Sequence, residues 1–243
     1  MVEQVTPYGN ESGTKKQQVA RMFDNIALRY DFLNRFLSFG IDRYWRRSAI
    51  GELRKDRPKV ILDIATGTAD VAITAMRLEP EKVFGIDISE EMLEIGRKKV
   101  RKLGLQDKIE LLSGDSEKLF FDDNKFDAVS VAFGVRNFEN LSAGLREINR
   151  VLRPGGKAVI LEFSRPTNPI IRGLYGFYNK YITPRLGKAI SKDPSAYAYL
   201  DASIRAFPSG DAFLAELNKA GFVKTTARTM TFGVVSVYCG TKA

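Results

Sequence analysis

The sequence predicts an α/β fold with a mostly parallel, seven-stranded sheet and an antiparallel last strand. Short apolar runs alternate with helical patterns between residues 60 and 163, and such alternation produces a parallel sheet with helices on both faces. Two further strand-like runs, 222–228 and 233–238, follow each other without an intervening helix. The segments outside this alternation predict an N-terminal helical lid and a helical insertion before the last two strands.

The segment before the first strand has the pattern of an amphipathic helix. Apolar side chains recur there at helical spacing, at Val19, Met22, Phe23, Ile26 and Tyr30. A second apolar cluster, residues 32–37, ends at a Ser-Phe-Gly turn, and Trp45 follows among arginines. We therefore divide the chain into a lid, residues 1–48, and an α/β domain, residues 49–243, which carries the insertion 164–207.

Five apolar runs predict the parallel strands, at residues 60–64, 83–87, 109–112, 126–131 and 158–163. Ser89 follows the second run, and its hydroxyl can cap the next helix. The helical pattern that begins at Leu141 ends at Arg153-Pro-Gly-Gly156, because proline and glycine stop helices. Ligands of open α/β sheets bind beyond the carboxyl ends of the strands, so we look for functional residues there.

Composition limits the possible chemistry. The chain has 243 residues, of which 44% are hydrophobic, and no apolar run approaches the roughly 20 residues of a membrane span. Cys239 is the only cysteine, which excludes intramolecular disulfides and favours a cytoplasmic location. Histidine is absent, so the commonest base and zinc ligand are missing and we predict no metal site. The net charge of +9 suits nucleic acid, an anionic membrane or acidic ligands alike.

The loop after the first strand is a candidate cofactor loop. Asp63 ends the strand, and Gly67 lies among small residues that let a ligand approach the backbone closely. Asp87 ends the second strand, where an acid accepts from ribose hydroxyls in Rossmann-like sites. The loop lacks the GxGxxG spacing, which disfavours a dinucleotide. Each feature alone fits an ordinary turn or strand end, but their joint placement favours a nucleoside site.

Two further strand ends extend this site. Asp115 and Ser116 follow the third strand, where an acid can accept from the amine of adenine; a turn or helix cap is the alternative. The fourth strand leads through Ala132 to Arg136 and Asn137. Arg136 can stabilise an oxyanion and Asn137 can orient a hydroxyl. The alternative is a surface arginine beside an asparagine that caps the next helix.

Several motifs resemble the ubiquinone/menaquinone biosynthesis C-methyltransferase family, whose members have a Rossmann-like class I methyltransferase fold. The motifs are Val19-Ala-Arg-Met-Phe-Asp-Asn-Ile-Ala27, Tyr30-Asp-Phe-Leu-Asn34, Leu37-Ser-Phe-Gly40, Trp45-Arg-Arg47, Ala132-Phe-Gly-Val-Arg-Asn137, Leu161-Glu-Phe-Ser164, Ser191-Lys-Asp193, Tyr197-Ala-Tyr-Leu200 and Ser203-Ile-Arg-Ala-Phe-Pro208. The resemblance covers nearly the whole chain after the first dozen residues. The chain departs from many relatives in lacking a histidine in the last strand and in having Ala132 where some carry a hydroxyl.

The resemblance implies S-adenosylmethionine as cofactor and S-adenosylhomocysteine as product, with no metal. It places Thr68, Asp87, Asp115 and Ser116 at cofactor positions, and to these we add Asp63, Gly67 and Ala132. It implies C-methylation of a demethylated prenylquinol, with demethylmenaquinol to menaquinol favoured and a benzoquinol as the alternative. An RNA or protein methyltransferase and a non-catalytic cofactor-binding subunit are further alternatives, although we predict no nucleic-acid partner.

We assign three residues to the reaction. The acceptor carbon becomes nucleophilic when the neighbouring phenol, which titrates near 10, loses its proton. We expect Arg136 to stabilise the phenolate, and Asn137 or Tyr30 to orient the ring. Water, or Asp115 if it points inward, would accept the proton.

The insertion 164–207 is basic and aromatic. It carries Arg172, Lys180 and Arg185, with several tyrosines among them. One interpretation is a surface that contacts anionic lipid while apolar residues receive a prenyl tail, which would make the protein peripheral on the inner face of the membrane. The alternative is a solvated basic face. A homodimer is compatible with the sequence.

Overall fold

The computed structural model describes residues 5–9, 11–177 and 195–243. Seven strands in these ranges form one sheet, in the order β3-β2-β1-β4-β5-β7-β6. Their bounds are β1 Val60–Ile64, β2 Lys82–Asp87, β3 Ile109–Ser113, β4 Phe126–Ala132, β5 Leu152–Phe163, β6 Phe222–Met230 and β7 Val235–Lys242. Strands β1 to β5 pair in parallel, and β7 runs antiparallel to both of its neighbours. The predicted fold class is therefore confirmed.

The largest differences from the predicted strand boundaries are at the start of β5 and the end of β7. Strand β5 begins at Leu152, directly after a helix, because the Pro-Gly-Gly segment continues in the strand with Gly155 at φ +78°. The register between β4 and β5 shifts between Phe126 and Ala128, which accommodates this extra length. Strand β7 runs on to Lys242, four residues beyond the predicted end.

The helices of the described ranges cover both faces of the sheet. Their bounds are α1 Lys15–Leu37, α2 Asp42–Gly51, α3 Asp70–Ala75, α4 Glu90–Lys102, α5 Leu141–Val151, α6 Pro169–Phe177, α7 Ser195–Ala206 and α8 Asp211–Lys219. Thr14 caps α1 in a capping box with Gln17. The Ser89 hydroxyl accepts from the Met92 amide and caps α4, as predicted. A short 3-10 turn, Val135–Asn137, follows β4.

The lid segment contributes to two different parts of the core. Trp45 and Ile50 of α2 are buried with Ile61 and Leu161 of the sheet, and the Trp45 indole N–H donates to Thr231 Oγ1 at 2.8 Å. Helix α1 instead packs with α7 in a separate apolar cluster. The division of the chain at residue 48, and the lid role of the first segment, stay predictions.

A polar network also fastens α1 to the sheet. Lys99 Nζ of α4 lies 2.8 Å from Asp31 Oδ2 of α1 and 2.5 Å from Asp70 Oδ1 of α3. The Thr68 hydroxyl donates to Asp31 Oδ1 at 2.6 Å and accepts from Lys99 at 3.0 Å. Burial raises the pKa of Asp70, but the charges of Lys99 and Arg46 outweigh burial and lower it below its ordinary value. Lys99 is therefore the shared cation of two partly buried carboxylates.

Replacing Lys99 should destabilise the protein through this network. Lys99→Met leaves Asp31 and Asp70 without their shared partner, so we expect a loss of about 1–3 kcal/mol in the free energy of unfolding. Lys59→Met is the matched control, because Lys59 forms only an exposed pair with Glu81, and such pairs contribute about 1 kcal/mol or less. Denaturant titration measures both; equal losses would contradict the assignment.

Candidate active site

A narrow cleft lies over the carboxyl ends of β1 to β4. It is lined by five of the predicted cofactor residues, Gly67, Asp87, Asp115, Ser116 and Ala132, together with Tyr30 and Asn137 of the predicted catalytic set. Residues from four separate strand ends and from α1 thus meet around one space, as expected for parallel strands whose carboxyl ends share one edge.

Asp87 is held rigidly at the centre of the cleft. The Gly67 amide donates to its Oδ2 at 2.8 Å, and the Ser89 amide donates to its Oδ1 at 3.0 Å. Burial raises the pKa of the Asp87 carboxyl to about 6, although these amide donors act in the opposite direction. Gly67 has a φ of +54°, and no atom lies within 4 Å of where a Cβ would be. The cofactor loop therefore leaves open space beside a fixed carboxylate.

Helix α1 closes the other side of the cleft. Lys16 Nζ lies 2.6 Å from Asp115 Oδ2 and 3.5 Å from Glu117 Oε2. Lys15 Nζ donates to the carbonyls of Arg136 at 3.1 Å and Phe138 at 2.8 Å. With α1 in this position the cleft encloses only about 60 Å³. The sequence analysis missed these two lysines, because lysines at a helix start look like a solvated face.

Asp63 and Thr68, both expected to bind cofactor, do not line the cleft. Asp63 is buried below the loop, where it accepts from Thr66 Oγ1 at 2.6 Å and Ser130 Oγ at 2.7 Å. It holds the cofactor loop against β4. The Thr68 side chain belongs to the network around Lys99 described above. Both residues support the loop from behind in this arrangement.

A second, larger cavity adjoins the cleft. It has a volume of about 450 Å³, and Phe23, Tyr30 and Phe133 line both spaces. The other residues around it are mostly apolar and include Met22, Ile26, Leu33, Leu37, Phe39, Ile41, Trp45, Phe163, Tyr175, Tyr199, Leu200 and Val234. Volumes of about 300–1,000 Å³ are typical of sites for small organic ligands. An apolar molecule here would meet a cleft ligand beside Tyr30.

Arg136 lines the larger cavity and forms a buried ion pair. Its Nη1 donates to Glu162 Oε1 at 2.9 Å and also to the Phe133 carbonyl. The Phe163 amide donates to the same Glu162 oxygen at 2.8 Å. Burial raises the pKa of the Glu162 carboxyl, although the Arg136 charge opposes that rise. We did not assign Glu162, although an acid inside the apolar run of β5 is costly to bury unless a cation or hydrogen-bond donors compensate its charge.

Asn137 and Tyr30 complete the junction of the two spaces. Asn137 Nδ2 lies 3.4 Å from the Phe133 carbonyl, and its buried Oδ1 has no hydrogen-bond partner within the described ranges. A buried amide oxygen without a partner is costly unless a ligand supplies the donor. The Tyr30 ring packs edge-on against Phe23. Burial raises the pKa of the Tyr30 hydroxyl, so it stays protonated as a donor.

The described residues form neither a metal-binding cluster nor a membrane-spanning helix. No group of three or more His, Cys, Asp or Glu side chains there is arranged to hold a metal ion. No helix in the same ranges is both long and apolar enough to cross a membrane.

Known proteins resemble this chain over its whole length. Residues 11–242 match the model of the ubiE/COQ5 methyltransferase family. The chain belongs to the ubiE/COQ5 methyltransferase family. A Bacteroides fragilis protein named demethylmenaquinone methyltransferase is 49% identical over 241 residues, covering 99% of this chain and 98% of its own. A Geotalea daltonii protein named ubiquinone/menaquinone biosynthesis C-methyltransferase UbiE is 45% identical, covering 94% and 97%.

Solved structures support the fold of this family member. A Thermotoga maritima SAM-dependent methyltransferase aligns with a TM-score of 0.64 at 19% identity, covering 92% of this chain and 99% of its own. Human N-acetylserotonin methyltransferase, solved in complex with SAM, aligns with a TM-score of 0.62 at 16% identity, covering 93% and 59%. Family and fold together make this chain an S-adenosylmethionine-dependent methyltransferase.

We expect the cofactor to bind in this cleft, which Asp87 and Asp115 line. We expect Asp87 to accept from the ribose hydroxyls and Asp115 to accept from the adenine amine, beside the open backbone at Gly67. Asn137, whose Oδ1 has no partner in the described ranges, lines the cleft, and Tyr30 lines both the cleft and the larger cavity. When bound, the cofactor supplies an electrophilic methyl group. The Asp115 carboxylate is paired with Lys16 in this arrangement.

Cofactor affinity should depend on pH through Asp87. The ionised carboxylate accepts from both hydroxyls, and its pKa is about 6 in the free protein. Affinity should therefore fall about tenfold for each pH unit below 6 and level off above it. Asp87→Asn should weaken binding by about 1–3 kcal/mol at pH 7 and remove this dependence. Calorimetry between pH 5 and 7 measures both.

The exposed residue Asp122 provides the control. Asp122→Asn should keep the affinity and the pH profile of the unmodified protein. If Asp87→Asn folds normally and retains the same profile, another group titrates and Asp87 does not contact the ribose.

Proposed function

We propose that the chain methylates a ring carbon of a demethylated prenylquinol, with demethylmenaquinol as the favoured acceptor. The observation that supports this most is the apolar cavity of about 450 Å³, which adjoins the cofactor cleft and contains a buried arginine. A relative 49% identical over nearly the full length is named demethylmenaquinone methyltransferase. A benzoquinol acceptor is the alternative, since the name of the Geotalea relative includes ubiquinone as well.

The reaction needs alignment and a phenolate more than a strong base. Tyr30 and Phe133 line both spaces, so an acceptor ring there lies within reach of the transferable methyl group, and alignment of this kind accelerates group transfer strongly. The guanidinium of Arg136 stays charged at any working pH and lowers the pKa of an adjacent phenol. Asn137 and Tyr30 would hold the ring and its oxygen.

Water is the proton acceptor that fits this proposal best. Asp115 was the alternative, but it lines the cofactor cleft and is absent from the lining of the larger cavity. Its carboxylate is also paired with Lys16. A phenol whose pKa is lowered by Arg136 can release its proton to water without a dedicated base.

The prenyl tail should leave through the opening of the larger cavity at Phe39 and Ile41, which we call the cavity mouth. A volume of about 450 Å³ accommodates a bicyclic ring and the first part of a tail, but not a long polyprenyl chain. Phe39 and Ile41, in the turn between α1 and α2, line the cavity and are also exposed. The remainder of the tail would pass between these side chains. An RNA or protein acceptor is less suited to such an apolar space.

Arg136 carries the catalytic part of the proposal. Removing a donor to a developing oxyanion costs roughly 10²–10³ in turnover, so Arg136→Ala should lose that much with little change in cofactor affinity. Its pH optimum should move upward, because the phenol must then ionise unaided. The measurement is turnover of a short-chain demethylated quinol across pH, beside cofactor affinity.

The Arg136→Ala experiment needs a control for stability, because Glu162 is the buried partner of Arg136. Arg136→Ala leaves this carboxylate buried without its cation, which costs about 3–5 kcal/mol of stability. The double variant Arg136→Ala/Glu162→Gln removes that uncompensated charge and should fold better while remaining slow. Normal turnover by a folded double variant would refute the role of Arg136. Loss of cofactor binding instead would assign Arg136 to the cofactor cleft.

We also propose that the cavity mouth contacts an anionic membrane. Phe39 is 89% exposed and Phe232, next to the cavity residue Thr231, is 80% exposed. Ile170 and Leu174 are exposed on α6, beside the cavity residue Tyr175. Large exposed apolar groups around an opening are typical of a surface that meets another apolar phase. A solvated face remains the alternative, and the homodimer and the cytoplasmic location stay predictions.

The predicted basic surface is described only in part. Arg172 is exposed on α6, whereas Lys180 and Arg185 lie outside the described residues. Arg172 lies close to Ile170 and Leu174 in α6, so one cation lies beside these exposed apolar side chains. Anionic lipid suits this combination, because cations attract the headgroups while apolar groups enter the interface.

Vesicle sedimentation tests the membrane proposal. Binding should require acidic lipid and weaken with salt, and Phe39→Ser/Phe232→Ser should reduce it severalfold. Charge reversal at Arg172, Lys180 and Arg185 should reduce it as well. Leu103→Ser is the control, because Leu103 is 56% exposed beyond the end of α4, away from the mouth. Equal binding to neutral vesicles, or no binding at all, would favour the solvated face.

A further inference from the structure

Tyr199 is a buried tyrosine whose hydroxyl has no hydrogen-bond partner among the described residues. It lies in α7, which packs against the 3-10 turn that carries Arg136. Its side chain is 3% exposed, and its hydroxyl oxygen makes no hydrogen bond to any part of the chain that is described. Burying a hydroxyl without a partner is unfavourable, and tyrosine hydroxyls normally find one. A ligand that supplies the partner would account for this residue.

The surroundings of Tyr199 locate that ligand. Tyr199 lines the larger cavity, which is the acceptor cavity of the proposed function, and is absent from the lining of the cofactor cleft. Burial raises the pKa of Tyr199 to about 12; the charge of Arg136 opposes this rise and that of Glu162 adds to it. The hydroxyl is therefore a neutral donor near the buried ion pair, on the acceptor side.

A prenylquinol presents two oxygens in different surroundings. One oxygen is attached next to the ring carbon that receives the methyl group, and the other is attached next to the carbon that bears the tail. The receiving carbon must face the cofactor cleft, which Asn137 lines, while the tail extends toward the cavity mouth. The oxygen beside the tail is then the one farther from the cofactor cleft, within the larger cavity that Tyr199 lines.

We propose that Tyr199 binds the acceptor oxygen adjacent to the prenylated carbon and so determines which ring carbon faces the cofactor. This inference rests on the proposed function. With Tyr199 holding one oxygen, the other oxygen lies beside Arg136 and Asn137, where loss of its proton activates the neighbouring carbon. Tyr199 acts as an acceptor-binding residue and takes no part in proton transfer.

Tyr199→Phe separates this role from a structural one. The variant should keep or increase its melting temperature, because the hydroxyl bonds to nothing in the described part of the chain. Its KM for a short-chain prenylnaphthalenediol should rise about tenfold, while the cofactor Kd stays unchanged. Tyr238→Phe is the matched control, since the Tyr238 hydroxyl accepts from the Gly210 amide at 2.8 Å. That variant should melt at a lower temperature with an unchanged KM.

A second acceptor identifies the oxygen involved. The analogue is the corresponding prenylnaphthol that lacks the oxygen beside the tail and keeps the one beside the receiving carbon. The naphthol differs from the diol in intrinsic reactivity, but this difference is the same for the unmodified protein and for Tyr199→Phe. It therefore cancels when the two proteins are compared on both acceptors. Tyr199→Phe should raise KM about tenfold for the diol and less than twofold for the naphthol.

The outcomes distinguish this inference from the proposed function. Turnover of the diol by the unmodified protein tests the proposed function by itself. If that turnover is normal, an unchanged KM of Tyr199→Phe for the diol overturns only the inference. An equal loss on both acceptors, or a lower melting temperature of Tyr199→Phe, also overturns it, because either result indicates a structural role.

Discussion

The buried pair of Arg136 and Glu162 is the interaction on which the acceptor site depends. Neither charge is stable alone at this depth, so each fixes the other. The position of the Glu162 carboxylate is fixed by the end of β5 and by the hydrogen bond from the Phe163 amide. Because Arg136 pairs with this carboxylate, Glu162 determines where the 3-10 turn after β4 can lie. That turn carries Asn137 and supports α7 with Tyr199. One ion pair thus positions residues from three elements around the acceptor cavity.

Helix α1 is the second constraint, because it forms a wall of both spaces. Phe23 and Tyr30 line the cleft and the cavity alike, while Lys16 and Asp31 fasten the helix to the loops after β3 and β1. Asp24 adds a third attachment by accepting from the Ser89 hydroxyl at 2.6 Å. A movement of α1 that admits cofactor must therefore also change the acceptor cavity. We therefore expect the binding of cofactor and the binding of acceptor to be coupled through α1.

The sequence predicted the strands, their direction and the cleft at their ends, because hydrophobic period and turn residues are local signals. It did not predict that Thr68 turns toward Lys99, or that Asp63 supports the loop from below. Lys99 is 31 residues from Thr68 and Ser130 is 67 residues from Asp63, and one sequence carries no signal for such distant contacts. Glu162 was detectable in principle as an acid in a buried strand, whereas Tyr199 is visible only once its hydroxyl is found without a partner.

Under the proposed function, the same ion pair would explain how a protein without histidine favours a phenolate. Hydrogen bonds from a guanidinium are stronger in a cavity that excludes water than in solvent. In that proposal, Glu162 offsets part of the positive charge of Arg136 before the acceptor arrives. A neutral quinol can enter, and only the charge that develops on its oxygen meets the remaining donors of Arg136. Stabilisation is then greatest when the ring carbon is most nucleophilic, which is the condition for catalysis by differential binding.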